Sequence, residues 1–196
     1  MQNTPVWGLL LAAGSGSRLG NRPKALLPHH GRPLVEHGIR TLRDGGCAGV
    51  VVVLGAAADR VRDQADLTGT LPVDNPDWPS GMGSSLRAGL AALPPEAAAA
   101  VVTLVDMPGI GAPAVARLAA AFRDGADLAA ATYHGDRGHP VLFAARWWPD
   151  VADSARGDAG ARAFLRAHAA ELRPVECADV ADPYDIDTPG DLHRLR

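Results

Sequence analysis

Three uninterrupted apolar runs constrain this chain most: VWGLLLA over Val6–Ala12, GVVVVL over Gly49–Leu54 and AVVTLV over Ala100–Val105. A strand with one wet face alternates apolar and polar residues, so runs without a polar beat fit strands covered on both faces. Between the runs, apolar residues recur at helical spacing over Leu34–Leu42, Ala58–Ala65, Ser84–Leu93 and Pro113–Phe122. Strands alternating with helices predict an α/β fold of three layers, with a mostly parallel central sheet between two layers of helices.

The last third is less regular. DLAAATY and HPVLFA read as strands around the turn HGDRG, and Gly160–His168 reads as helical. Thr188-Pro189 opens a final short helix, with Thr188 as its cap and Pro189 at its first position. No internal repeat or low-complexity stretch divides the 196 residues, which predicts a single domain over residues 1–196.

Charge and cysteine usage narrow the function classes. A net charge of −3 supplies no basic footprint for nucleic acid. The longest apolar run is about one strand long, too short to cross a bilayer. No positively charged region precedes VWGLLLAA, which argues against a secretion signal and for the cytoplasm. Cys47 and Cys177 stand far apart with no Cys-x-x-Cys spacing, so both read as reduced thiols.

The segment LLLAAGSGSRLGNRPKALLP, Leu9–Pro28, runs the first strand into a Gly/Ser loop with two cations, Arg18 and Lys24. Lys24 is the sole lysine in a chain with 19 basic residues. Ligands of open α/β sheets bind beyond the carboxyl ends of the strands, where the Gly14-Ser15-Gly16-Ser17 loop falls. Glycines there let backbone N–H groups turn toward a phosphate, and a nearby cation balances its charge. Walker A fails, because Ala25 rather than Ser or Thr follows Lys24. The dinucleotide fingerprint fits weakly, with Gly14 and Gly16 in place but Leu19 in its third glycine position and the glycine at 20.

Carboxylates end two other segments. LVDMPG places Asp106 directly after a buried strand, and DIDTPGDL places Asp185 and Asp187 before the last helix. Asp106 with one of that pair makes a plausible set of hard oxygen ligands for Mg2+, waters and phosphate oxygens completing the shell. For Asp187 the competing reading is helix capping. His29-His30 read as solvent-facing loop residues and His37 as structural. Trp78, in NPDWPSG, reads as a plug at its loop base.

LAAGSGSRLG followed by Lys24 resembles the signature loop of the nucleotidyltransferase superfamily. NPDWPSGMGSSLRAGL (Asn75–Leu90), LVDMPG, RGHPVLF (Arg137–Phe143), GDAGAR (Gly157–Arg162) and DIDTP (Asp185–Pro189) are similar, in order, to the MobA/MocA-like NTP transferase family. The molybdenum cofactor cytidylyltransferase branch is nearest, although the spacer from Gly20 to Lys24 is one residue longer here. The resemblance implies a Rossmann-like nucleotidyltransferase fold. It implies that Ala12, Ala13 and Gly14 line base and ribose, and that Ser15, Gly16, Ser17, Arg18 and Lys24 hold the phosphates. By the same resemblance Asp106 and Asp187 hold Mg2+, and Asn75, Ser84 and Ser85 help recognise the nucleotide. Arg137, Gly138 and His139 then face the acceptor, with Lys24, Arg18 and Asp106 carrying catalysis. Leu-Ala-Ala-Gly, with Ala13, accompanies cytidine in this family, so CTP is the favoured nucleoside triphosphate.

The implied reaction is attack by a phosphorylated, molybdopterin-like acceptor on the α-phosphorus of CTP, and the implied partner beyond it is a molybdoenzyme. A phosphomonoester is largely ionised near neutral pH, so no side-chain base is required. That agrees with a sequence lacking any nucleophile elbow. LVDMPG and ATYHGDRGHPVL also resemble relatives labelled nicotine blue oxidoreductase, which keeps an NAD(P)H-linked reductase as an alternative. A non-catalytic nucleotide or cofactor carrier is the third.

Overall fold

The computed structural model describes residues 4–195. In chain order its elements are β1 (Val6–Ala12), β2 (Pro28–His29), β3 (Arg32–Pro33), α1 (Leu34–Asp44), β4 (Val50–Leu54), α2 (Ala58–Gln64), β5 (Leu71–Asp74), α3 (Met82–Ala91), β6 (Ala99–Leu104), α4 (Ala112–Arg123), β7 (Leu128–Tyr133), β8 (Asp136–Ala144), α5 (Trp148–Ser154), α6 (Arg162–Ala167) and β9 (Leu172–Glu176). Short 3-10 turns link several of them.

Seven strands form one sheet in the order β5-β4-β1-β6-β8-β7-β9. The pairs β5–β4, β4–β1, β1–β6 and β7–β9 are parallel; β8 alone runs against its neighbours. The three apolar runs are the central strands β4, β1 and β6, and every residue of β4 is buried. Alternate residues serve opposite layers. Leu10, Val50, Val52 and Leu54 join Leu34, Leu42, Val115 and Leu118 under α1 and α4. Leu9, Leu11, Val51 and Val53 join Leu86, Leu90, Phe143, Val151 and Phe164 under α3, α5 and α6. Gly89 lets α3 lie close on the sheet, since a Cβ there would sit 2.4 Å from the Leu9 side chain.

Two strands carry no signal of this kind. LPVD (β5) and LRPVE (β9) are the sheet edges, half exposed, each with a proline, so neither shows a continuous apolar run. The HGDRG turn is also shorter than its composition suggests. His134 and Gly135, both at positive φ, make a two-residue hairpin turn, and β8 begins at Asp136. Arg137 and Gly138 therefore sit on the strand with His139 rather than in the turn.

β8 pairs antiparallel with β6 through Val102↔Val141 and Ala99↔Ala144, so its beginning projects past the carboxyl end of β6. The first residues of β8 thus share an edge with the ends of β1 and β6. Among the described residues no helix is long and apolar enough to cross a membrane.

Candidate active site

At the end of β1 the chain turns on Gly16, at φ 66°, where a Cβ would lie 1.9 Å from the Arg22 carbonyl oxygen. Only glycine fits there. The Gly16 carbonyl accepts the N–H groups of Leu19 (2.8 Å) and Asn21 (3.1 Å), which closes the loop. Among the described residues the N–H groups of Gly14 and Ser15 donate to no protein acceptor. Such an exposed backbone concavity is an anion site in kind.

A cleft of about 410 Å³ opens over this loop and is lined by Ala13, Gly14, Ser15, Ser17, Lys24, Trp78, Ser85 and Asp106. Beside it lies a second cleft of about 830 Å³, walled by Arg137, Gly138 and His139 with Tyr133, Arg162, Asp182 and Asp185, over an apolar floor that includes Val141, Phe143 and Leu165. Leu11, Met82 and Leu104 line both.

Lys24 lines the smaller cleft together with Asp106. Its ammonium donates to Asp106 Oδ2 at 2.6 Å and to Asp187 Oδ1. Arg18 adds a longer contact, 3.6 Å, to Asp187 Oδ2. Burial alone would push the Lys24 ammonium down, but the two carboxylates outweigh it and hold its pKa above the ordinary lysine value. Asp187 is brought here by main-chain pairing, because the Ile186 N–H donates to the Asp106 carbonyl at 2.9 Å. Ile186 is fully buried, so Asp185 and Asp187 flank it on the open side. The helix cap is Thr188, in a capping box with Asp191, which leaves the Asp187 carboxylate to the cations.

Two carboxylates that reach one ammonium are close enough together to share a metal ion, and their oxygens are hard donors of the kind a small divalent cation takes. Asp185 strengthens the negative field. Burial and then the charges of Asp106 and Asp187 hold its carboxyl above the usual range. Asp106 and Asp187 thus fit a divalent ion, although among the described residues no cluster of three His, Cys, Asp or Glu side chains offers a full ligand set. Water and phosphate oxygens would have to complete it.

The remaining residues divide. Ala12 is buried in the core at the end of β1, and Arg18 is largely exposed. Asn75 and Ser84 are buried and bonded to one another. Asn75 Nδ2 donates to Ser84 Oγ (2.8 Å) and Ser85 Oγ (3.0 Å), while Asn75 Oδ1 accepts the Asp77 N–H (3.0 Å). This cluster stands behind the smaller cleft and fixes Ser85, which lines it. Trp78 packs on the second core layer and also lines that cleft, so it plugs the loop base and walls the site at once.

His29 corrects an expectation: it is buried in β2, its ring 4.8 Å from that of His37, and only His30 is exposed. Pairing with β3 turns His29 inward, a contact local composition does not show. His37 Nε2–H donates to the Pro108 carbonyl at 3.1 Å and so steadies the segment after Asp106. The sequence reading passed over Met82, Asp158 and Arg162, although GDAGAR, with Gly157 and Gly160 at positive φ, marked a tight turn at this place.

Comparisons with known proteins bear on the family and the fold. The MobA-like NTP transferase domain is matched over residues 8–172. The chain is 45% identical over 196 residues to nicotine blue oxidoreductase of Paenarthrobacter nicotinovorans, covering 97% of this chain and 96% of that one. It is 36% identical over 190 residues to molybdenum cofactor guanylyltransferase of Acidiphilium cryptum (strain JF-5), covering 94% and 90% of the two chains. Its fold superimposes on the crystal structure of Rv0371c from Mycobacterium tuberculosis H37Rv in complex with manganese, with a TM-score of 0.81 and 28% identity over 98% of each chain. A nucleotide-sized cleft over a glycine loop, a second cleft beside it and a domain match over most of the length lead to one conclusion: the chain belongs to the MobA-like NTP transferase family and is a nucleotidyltransferase.

Proposed function

We propose that this enzyme transfers CMP from CTP to the phosphate of a molybdopterin-like acceptor, with Mg2+ as cofactor and pyrophosphate as leaving group. The observation that carries the reading is the position of Lys24, held between Asp106 and Asp187 in the cleft that opens over the glycine loop. The smaller cleft takes the nucleotide, its triphosphate lying over the Gly14–Ser17 amides with Arg18 and Lys24 balancing charge. Ala13, which lines this cleft, stands in the Leu-Ala-Ala-Gly pattern that accompanies cytidine in the family and so supports a pyrimidine. The larger cleft takes the acceptor against Arg137, Gly138 and His139.

In this reading an acceptor phosphate oxygen bonds to the α-phosphorus as the bond to the β-phosphate oxygen breaks, and pyrophosphate leaves with that electron pair. Asp106 and Asp187 hold the divalent ion, which when bound supplies Lewis-acid charge to the reacting phosphates. The manganese in the Rv0371c structure supports a divalent ion here. Lys24 follows the charge as it moves toward pyrophosphate, which a compact ammonium with rotatable donors does better than a rigid guanidinium. His139 stays neutral, since burial holds its pKa down to about 4, and the ionised acceptor needs no proton removed. Catalysis is then positioning and charge stabilisation.

The identity to nicotine blue oxidoreductase supports a second reading, hydride transfer from NAD(P)H to a conjugated substrate in the larger cleft. Calorimetric titration with CTP, GTP, ATP and NADPH, with and without Mg2+, separates the two. Mg2+-dependent binding of CTP, lost in Lys24→Ala, is the expected result. Binding of NADPH alone, indifferent to Mg2+, overturns the transferase reading.

A further inference from the structure

Two arginines reach the larger cleft from different elements, Arg137 from the start of β8 and Arg162 from the first residue of α6. Several other arginines are engaged. Arg32, Arg62, Arg117 and Arg146 form ion pairs, and Arg43, Arg87 and Arg173 donate to backbone carbonyls. Arg137 and Arg162 have no ion-pair or hydrogen-bond partner among the described residues. Asp136, Asp182 and Asp185 share the cleft, yet none lies within 4.0 Å of either guanidinium. Both arginines act electrostatically on His139, which also feels Asp106. His139 therefore lies within the field of the arginines and of the carboxylate at Lys24.

The placement of Arg162 is built rather than incidental. The strap Gly157–Ala161 is pressed onto the entry of α3. A Cβ on Gly81 would lie 2.5 Å from the Gly157 carbonyl carbon and 2.6 Å from Asp158 Oδ1, and one on Gly160 would meet Met82 Sδ at 3.3 Å. Asp158 lines the smaller cleft, while Ala159, Gly160, Ala161 and Arg162 line the larger. One strap touches both, and α6 starts where the strap delivers Arg162.

We propose that Arg162 is an acceptor-binding residue that, together with Arg137, holds an anionic group of the acceptor beside His139. The inference rests on the reading of the larger cleft as the acceptor site and adds the residue that selects acceptors by charge. A guanidinium fork suits a phosphate or carboxylate, and the apolar floor of Val141, Phe143 and Leu165 suits a flat body attached to it. The carboxylates of Asp136, Asp182 and Asp185 are left for N–H donors on the same molecule.

Phenyl phosphate is the probe, with phenol as its neutral counterpart, titrated by calorimetry into the wild-type chain and into Arg162→Gln, Arg162→Lys, Arg137→Gln and Lys24→Ala. The wild type binds phenyl phosphate in preference to phenol. Each Arg→Gln change weakens it about ten-fold or more, Arg162→Lys recovers part of the loss, and Lys24→Ala leaves it intact. CTP affinity is unchanged in Arg162→Gln. Unaltered phenyl phosphate binding in Arg162→Gln overturns the proposal, as does weakening that follows Lys24→Ala instead. An equal loss of CTP affinity in Arg162→Gln assigns the residue to holding the strap and overturns it as well. If no nucleoside triphosphate binds the wild type while Arg162-dependent phenyl phosphate binding persists, the transferase reading fails and the anion site stands.

Discussion

The Lys24 ammonium lies 2.6 Å from Asp106 Oδ2 and bonds Asp187 at the same time, so one protein cation spans the two carboxylates assigned to a metal. Removing it leaves two close, uncompensated negative charges. Lys24→Met is therefore expected to bind Mn2+ alone about ten-fold more tightly than the wild type, while nucleoside triphosphate affinity falls by a similar factor or more. An EPR titration of free Mn2+ reads the first effect and calorimetry the second. Weaker Mn2+ binding in the variant would remove the metal assignment. Lys24→Arg should not restore nucleotide affinity, because a rigid planar fork cannot follow the shifting phosphate charge as a compact ammonium does.

Asp106→Asn tests the same centre from the other side. The substitution keeps the side chain's shape, and the main-chain bond from the Ile186 N–H to the residue 106 carbonyl survives. Turnover with CTP and acceptor should drop at least about 100-fold, with the thermal midpoint within about 4 °C of wild type. Full activity in a well-folded variant would exclude Asp106 from the reaction.

Asn75 supports the smaller cleft without lining it. Asn75→Ala removes both donors to Ser84 and Ser85 and the acceptor for the Asp77 N–H inside a buried cluster. Stability should fall by about 1–3 kcal/mol, read by urea denaturation, and CTP affinity should weaken as Ser85 loosens. A loss of stability with unchanged CTP affinity would show that Ser85 does not depend on this cluster.

The pH dependence of stability has a definite sign. Burial holds His139 down to about 4 from an ordinary value of 6.5, with Asp106 opposing and Arg162 and Arg137 assisting. Between those values the unfolded chain binds the proton and the native state does not. The contribution of His139 is full above about 6.5, declines as pH falls toward about 4, and changes no further below that. Burial lowers His29 and His37 as well, and they act in the same direction. Denaturation midpoints measured from about pH 7 to about pH 4.5 should fall less steeply in His139→Gln than in the wild type. Parallel slopes would show that His139 titrates normally.

What was legible in the sequence was whatever declares itself locally. Val6–Ala12 appears as a strand with the bounds its apolar run suggested, and the glycine loop, Lys24 and Asp106 follow from it and from the LVDMPG break. β5 and β9 were not legible, because edge strands bury too little to keep an apolar rhythm. His29 and the Asn75 cluster depend on partners several residues or a strand pairing away, which residue spacing does not encode. Arg162 lay in view within GDAGAR, but its lack of an ion partner is a property of three-dimensional surroundings alone.

The reversed course of β8 builds the two halves of the centre on different kinds of backbone. Loops usually form the ligand-bearing rim of a parallel sheet, and loops are where motion and sequence variation gather. Here the rim beside β6 is the opening stretch of a strand, tied on one side to β7 through Thr132↔Arg137 and Tyr133↔Asp136. Arg137 is thus placed by a hydrogen-bonded ribbon rather than by a loop, and His139 follows it at the register shift between Thr132↔Arg137 and Ala130↔Val141. In the proposed function the nucleotide meets a loop at Gly14–Ser17 and the acceptor meets the opening of a strand, so a change of acceptor calls for new side chains on β8 rather than a longer or shorter loop.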